Sequence, residues 1–432
     1  MKPNHVKNFE NRRHHSLNLG AVVLTVAGLL IPSINTYAQT TTAPANFGVT
    51  PTTIRVGGVM DFLEEAKTRS EAMKAGVEAA FKNEKVQGRT LEYVVLNDSF
   101  NPKLAIEATQ KLIQQGIFAM LGNTGGPSIK ATLPLLTENK IPGVGFQIGV
   151  GYLRTNASGI INFRASFAQE ANLVIETALA AGVKPKEICA YLPNDAAGLS
   201  NLAIIKAALA KQPDMAETIN KIDQIMAVPG EEPDRNKIGP VGFYQRFTLK
   251  LAQPGYDSLK HWEKTANTQC RLVMIVGGSN PPVTTFIQYS RYKGENWVVS
   301  VTSQVEASSL IAALTEQKVA ERVIMTQVVP SLDAALPIVE EARKALANQL
   351  NPISLEGYIV GKMFLAILRN IKGDITPENF LKAAQGHSFN LGGLTLDFTN
   401  DNQGSDFVQL LYLDGEAFKP RTAAQLQTVF QK

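Results

Sequence analysis

The chain has 432 residues, 44% of them hydrophobic and 19% charged, and a formal net charge of +4. This length exceeds one simple core and accommodates two domains of ordinary size. The excess of charge sits at the start, where Lys2, Lys7, Arg12 and Arg13 face a single acid, Glu10; the rest is close to neutral, which argues against a nucleic-acid or anionic-membrane partner.

That basic start leads into an apolar run from Leu19 to Ile31, shorter than the roughly 20 residues a membrane-spanning helix requires. Pro32 ends the run and Thr36-Tyr37-Ala38 supplies small-residue cleavage chemistry, so residues 1–38 read as a signal peptide cut after Ala38. His14-His15-Ser16 after the arginine pair favours general secretion over twin-arginine export. With no cysteine near the cut, no lipid anchor is expected, and the mature chain is expected free in the periplasm. Residues 39–51, rich in Thr, Ala and Pro, read as a tether.

Strands and helices then alternate. Thr53 to Val59 reads as a strand, followed by a helix with Met73, Val77, Ala80 and Phe81 on one stripe. Leu91 to Leu96 is the next strand; Asn97 to Pro102 supplies caps and a first-turn proline, and Leu104, Ala108, Leu112 and Ile113 stripe the helix that ends at Gly116. Ile117 to Leu121, a helix from Ser128 to Glu138, Ile141 to Phe146 and Ile160 to Phe163 continue the pattern. Single helices between strands imply a parallel sheet wound on both faces.

The pattern restarts with a helix from Ala168 to Ala181, the strand Glu187 to Leu192, a helix through Leu202 to Leu209, and the strand Leu272 to Val276. A second doubly wound lobe is the reading. Between them lies a less regular stretch from Met215 to Tyr256, with an insertion near 212–244. Either Gln245 to Leu251 or Glu217 to Ile222 is the lobe's next strand; the short loop from Leu251 to a helix at Asp257 favours the former, which keeps the insertion away from the carboxyl ends of the strands. Cys189 and Cys270 each lie in an apolar run and read as two buried thiols, although an oxidising compartment permits them to pair.

Three stretches give the chain a resemblance to a known family: Asn97 to Lys103 after the second strand, Leu121 to Ser128 after the third, and Asn162 to Ser166 before the second lobe. In order and spacing they resemble the type I periplasmic binding proteins, specifically the leucine/isoleucine/valine-binding receptors of ABC importers. The resemblance implies an α/β fold of two doubly wound parallel-sheet lobes joined by a three-strand hinge. The crossings fall near Arg164 to Glu170, Thr326 to Pro330 and Asn400 to Asp406. Lobe 1 is then 52–165 plus 328–400, and lobe 2 is 166–327 plus 401–432.

Gly125-Gly126-Pro127-Ser128 lies between a strand and a helix, where backbone N–H groups and a hydroxyl make an anion site. The resemblance makes Ser128 and Gly126 grips for a ligand carboxylate; Ser128 capping its own helix is the structural alternative, and neither excludes the other. Gln147 and Gly149 match positions that contact the ligand's polar head. Gln169 and Gln304 match positions where amino-acid receptors carry acids, which predicts a neutral pocket unless the register shifts to Glu170 or Glu306. Asp61, Phe62, Glu64 and Arg69 line the expected mouth, with Arg69 the ligand candidate among them. Asp195 and Ser279 complete the second lobe's side.

The glycine turn lacks both Gly-x-Gly-x-x-Gly and a Lys-Ser/Thr pair, which argues against a nucleotide. Beyond the leader only His261 and His387 remain, neither in a nucleophile or zinc motif, so no catalytic residue, metal or cofactor is expected. The sequence therefore predicts a monomeric, non-enzymatic solute receptor that delivers a small amino-acid-like or carboxylated solute to an inner-membrane ABC permease. A ligand-sensing module reporting to a separate membrane signalling partner is the alternative.

Overall fold

The computed structural model describes residues 46–154, 159–230, 233–245, 251–277 and 280–431, apart from the side chains of Glu64 and Glu65. The leader with its cut after Ala38, the tether as far as residue 45, and Ser279 lie outside the described residues.

The first lobe opens with β1 (Thr53–Met60), α1 (Glu64–Phe81), β2 (Lys85–Val86), β3 (Arg89–Asn97) and α2 (Pro102–Gln115). It continues with β4 (Met120–Leu121), α3 (Gly126–Glu138), β5 (Gly143–Val144) and β6 (Ile160–Ile161). The second lobe runs through α4 (Phe167–Ala180), β7 (Ile188–Pro193), α5 (Ala196–Leu209), α6 (Ala216–Ala227), β8 (Val241–Tyr244), α7 (Gln253–Thr265) and β9 (Leu272–Ile275). Then come α8 (Asn280–Tyr292), β10 (Val298–Val301), α9 (Ala307–Glu316) and β11 (Val323–Gln327). The chain returns to the first lobe with α10 (Pro337–Leu346), α11 (Pro352–Asn370), α12 (Pro377–Ala384) and the hairpin β12 (Ser388–Leu391) and β13 (Leu394–Asp397). It ends in the second lobe with β14 (Gln409–Asp414), β15 (Ala417–Pro420) and α13 (Ala423–Gln431).

Two sheets result. The first has the order β2-β3-β1-β4-β5-β6, parallel except for the β2–β3 edge. The second has the order β15-β14-β11-β10-β9-β7-β8, with β8 to β11 parallel and β14 and β15 antiparallel at one edge. Helices cover both faces of each, as short single-helix connections between parallel strands require. Three segments, 162–166, 328–336 and 398–408, pass between the lobes. Two of them lie side by side: Asn162 donates its N–H to Asn402 O at 2.7 Å, and Gly404 N–H returns to Asn162 O at 2.9 Å.

The stripe Met73, Val77, Ala80 and Phe81 is buried against α11 and its neighbours. Glycines let α1 and α11 approach closely: a Cβ on Gly76 would come 2.2 Å from Ser354 O, and one on Gly357 2.4 Å from Met73 O. That contact fixes the first turns of α11, including Glu356.

Three expectations change. Leu104 is 39% exposed, because α2 turns Ala105, Ala108, Thr109, Leu112 and Ile113 inward, a face shifted by one residue at its start. The next strand of the second lobe is Val241–Tyr244, whereas Glu217 to Ile222 lies in α6 and residues 246–250 lie outside the described residues. Gly242 and Gly255 carry the reason: a Cβ on Gly242 would sit 2.2 Å from Gly255 O, so this strand tolerates no side chain where α7 crosses it. Finally, Cys189 and Cys270 form a disulfide with a Cα–Cα distance of 5.7 Å. Cys189 pairs in register with Val273, while Cys270 lies ahead of β9, outside the ladder, and so is not held to the usual spacing of facing parallel strands.

Candidate functional site

The carboxyl ends of the first sheet's parallel strands meet along one edge, where open α/β sheets bind ligands. Asp61 follows β1, Asp98 follows β3, Asn123 and Thr124 follow β4, Gln147 follows β5, and Arg164 follows β6. All six are buried. A polar framework holds their loops: Asn123 Oδ1 accepts Val59 N–H at 3.1 Å, its carbonyl accepts Gln147 N–H at 2.9 Å, and Thr124 Oγ1 accepts Asp61 N–H at 3.3 Å and meets Ser70 Oγ at 3.3 Å.

Gly125, with φ of +85°, precedes α3 and takes a left-handed conformation suited to glycine. The helix has no side-chain cap, so Ser128 does not cap its own helix; its buried hydroxyl lies beside the Asp98 carboxyl. The N–H groups of Gly126 and Ser128 belong to a first turn with no acceptor inside the helix. Asp98 faces this turn. Burial pushes its carboxyl up, and the neighbouring Ser128 hydroxyl and the Phe100 N–H, 3.0 Å from Oδ1, draw it down.

Arg164 is 1% exposed and stands between two acids, its Nη2 3.5 Å from Glu170 Oε1 and its Nη1 3.6 Å from Glu356 Oε1. Glu170 lies in the first turn of α4 and also accepts the Ser303 N–H at 2.9 Å and the Thr326 hydroxyl, both from the second lobe. Arg164 likewise donates to Ser303 Oγ. Glu356 lies on α11 in the first lobe, so one guanidinium links an acid of each lobe. Burial raises the Glu356 carboxyl, Arg164 lowers it, Glu170 raises it, and the Gln147 amide lowers it. Arg154 lies behind this group and donates to Gln403 Oε1 at 2.8 Å; burial brings its pKa down to about 10.

Arg69, on α1, is 8% exposed. Its Nε is buried without a partner, and the guanidinium makes no hydrogen bond or ion pair within 4 Å among the described residues. Asp61, Asp98 and Arg164 are its charged neighbours. Gln147 is fully buried, and its amide lies beside the Glu356 carboxyl.

The edge thus brings together Arg69, Ser128, Gly126 and Gln147 among the expected residues. Gly149 follows β5 and packs against Phe167, whose ring a Cβ there would meet at 2.5 Å. Gln169 turns away: its Nε2 donates to Asp406 Oδ1 at 2.7 Å and its Oε1 accepts from Ser166 and Gln403. Asp195 caps α5 by accepting Gly198 N–H at 2.9 Å, and Glu306 caps α9 through Ser308 and Ser309 N–H. Gln304 is buried beside Ser303 in the loop after β10. Charged side chains lie at this edge as well: Glu170 is buried there where Gln169 turns away, with Asp98, Arg164 and Glu356. One signal for Glu356 was legible: it is the lone acid in the mostly apolar first half of α11, and a buried acid requires a partner. Among the described residues, no group of three or more His, Cys, Asp or Glu side chains is arranged to hold a metal ion.

The family profile described as periplasmic binding protein matches residues 53–215. A possible leucine/isoleucine/valine-binding protein from Rhodopirellula baltica SH 1 superposes with a TM-score of 0.75 at 26% identity, over 88% of this chain and 99% of that one. The chain has the fold of the type I periplasmic binding proteins. Further solved binding proteins share this fold. A branched-chain amino acid ABC transporter protein from Thermus thermophilus with bound valine gives a TM-score of 0.65 at 14% identity, covering 87% of this chain and 96% of its own. A solute-binding protein from R. palustris in complex with 4-hydroxybenzoate gives 0.64 at 16%, covering 85% and 96%. No curated protein matches the sequence.

Proposed function

We propose that this protein is the solute receptor of an ABC importer, holding a small amino-acid-like or carboxylated solute between its lobes and presenting it to an inner-membrane permease. One observation carries the reading: the buried polar side chains of Arg69, Asp98, Ser128, Gln147, Arg164, Glu170 and Glu356 converge on the carboxyl edge of the first sheet, and the Arg69 Nε among them has no hydrogen-bond partner. Burying so many polar groups at one edge costs stability, so their clustering speaks for a polar ligand that they meet. Arg164, reaching an acid of each lobe, lies where a ligand's differential affinity for the closed arrangement would be expressed.

The periplasm is the proposed compartment, with residues 1–38 as the export signal. The Cys189–Cys270 bridge is in keeping with an oxidising environment. No step of the proposal uses bond-making chemistry, and the protein acts as a receptor rather than an enzyme.

A thermal-shift screen of amino acids, aliphatic and aromatic carboxylates and their amides tests it, because a ligand at 100 times its Kd stabilises the folded state by about 2.7 kcal/mol. At least one solute should raise the midpoint in a concentration-dependent way, with one-to-one stoichiometry by calorimetry. A flat response across the panel argues against a receptor for this class.

A further inference from the structure

We infer that the solute carries a carboxylate and that Arg69, rather than the N-terminus of α3, takes it. This rests on the receptor reading and assigns one end of the ligand within that site. Two observations point the same way. The first turn of α3 already faces a protein carboxylate: Asp98 lies beside Ser128, so a ligand anion placed there would meet a like charge at close range. Arg69, by contrast, is a buried cation whose fork no described oxygen fills.

The acids near Arg69 do not fill it. Asp61 Oδ1 accepts the Leu63 N–H at 2.9 Å and Asp98 Oδ1 accepts the Phe100 N–H at 3.0 Å, so each is bound to its own loop, and neither comes within ion-pair distance of the guanidinium. Arg164, the other buried guanidinium at this edge, has Glu170 and Glu356 on its two sides. Arg69 is therefore the cation whose charge calls for an incoming anion. Its planar fork matches a carboxylate in a two-bond arrangement that a lysine cannot reproduce. Its place is set by the adjacent Ser70, which meets Thr124 at the end of β4 and keeps this part of α1 over the strand ends.

The carboxyl groups of Asp98 and Glu356, with Ser128 and Gln147 beside them, then supply the acceptors of this edge. They suit a solute whose remainder carries hydrogen-bond donors, a hydroxyl or an ammonium, beside the carboxylate.

The test is a set of acid and amide pairs measured by calorimetry and thermal shift on the full mature chain: leucine with leucinamide, 4-hydroxybenzoate with 4-hydroxybenzamide, and octanoate with octanamide. For the pair that binds, the wild type should prefer the acid by about 100-fold or more, the scale of losing one partner of a desolvated charge pair. Arg69→Met should abolish that preference, and Arg69→Lys, which keeps the charge without the fork, should retain an intermediate part. Ligand-free Arg69→Met should lose far less stability than Arg164→Met, because Asp61 and Asp98 are each held by their own loops; a loss as large as that of Arg164→Met would mark Arg69 as a structural residue and overturn the assignment. An acid preference that survives Arg69→Met and disappears in Ser128→Ala returns the anion to the helix N-terminus. Tight binding of amides alone also overturns the assignment, while in both cases the receptor reading stands. If no member of the panel binds the wild type, the receptor reading falls and takes this inference with it.

Discussion

Arg164 and Glu170 form a buried ion pair, Nη2 to Oε1 at 3.5 Å, with neither side chain more than 1% exposed. Glu356 completes the arrangement from the other lobe at 3.6 Å. Removing the shared cation strands two carboxylates in a low-dielectric interior. Arg164→Met should therefore destabilise the protein by about 3–5 kcal/mol, against a smaller loss for Glu170→Gln, whose amide oxygen still accepts the Ser303 N–H. Urea unfolding followed by circular dichroism measures both. A loss under 1 kcal/mol for Arg164→Met contradicts this reading.

Glu356 predicts a pH dependence. Its carboxyl is raised above the ordinary glutamate value, chiefly by burial, with Arg164 opposing. A raised native pKa means that the folded chain holds the proton more tightly than the unfolded chain. Its contribution is then fully present below the unfolded value, about 4.3, and is lost as the pH rises through the native one. Glu356→Gln cannot ionise. Its stability relative to wild type should rise from pH 4.5 to pH 7.5, read from unfolding midpoints at each pH. A relative stability that falls over this range means that the pairing with Arg164 outweighs desolvation.

The Cys189–Cys270 bridge closes a loop with a sequence separation of 81, and both sulfurs are buried. In the chain-entropy account a loop of this size is worth about 4–5 kcal/mol, an upper figure when the native state is unstrained. The Cys189→Ser, Cys270→Ser double variant should unfold at lower urea than the wild type, and reductant should lower the wild type to a similar midpoint only once unfolding exposes the sulfurs. Equal midpoints for the two proteins contradict the bridge.

The βα alternation was legible because burial imposes its period on the side chains: Met73, Val77, Ala80 and Phe81 share a face whatever lies beyond it. Where size and direction conflict, periodicity misleads. Leu104 drew the stripe of α2 toward itself, although the smaller Ala105 faces inward. Loop length favours Gln245 to Leu251 as the strand ahead of α7, whereas the strand is Val241–Tyr244, whose glycine is demanded by a helix crossing that no local pattern reveals.

The site followed the same division. Ser128 and Gln147 sit on loops that the strand–helix order places at the edge. Which charges lie beneath them depends on contacts across more than a hundred residues of sequence, as between Glu170 and Thr326 or Arg164 and Glu356. A one-residue choice between Gln169 and Glu170 is settled by which side of α4 meets β10 and β11, and sequence spacing alone does not supply it.

The central claim is that polar atoms are buried at this edge to meet a ligand and not to hold the fold. Gln147 tests it most directly, being fully buried at a strand end with the Glu356 carboxyl as the neighbour of its amide. Gln147→Met keeps its length and removes its polarity. Measured side by side, ligand-free stability should change by no more than about 1 kcal/mol, the net worth of one hydrogen bond, while affinity for the best solute of the thermal-shift panel falls at least 10-fold. A variant that loses several kcal/mol of stability yet binds that solute as tightly as the wild type would contradict the account.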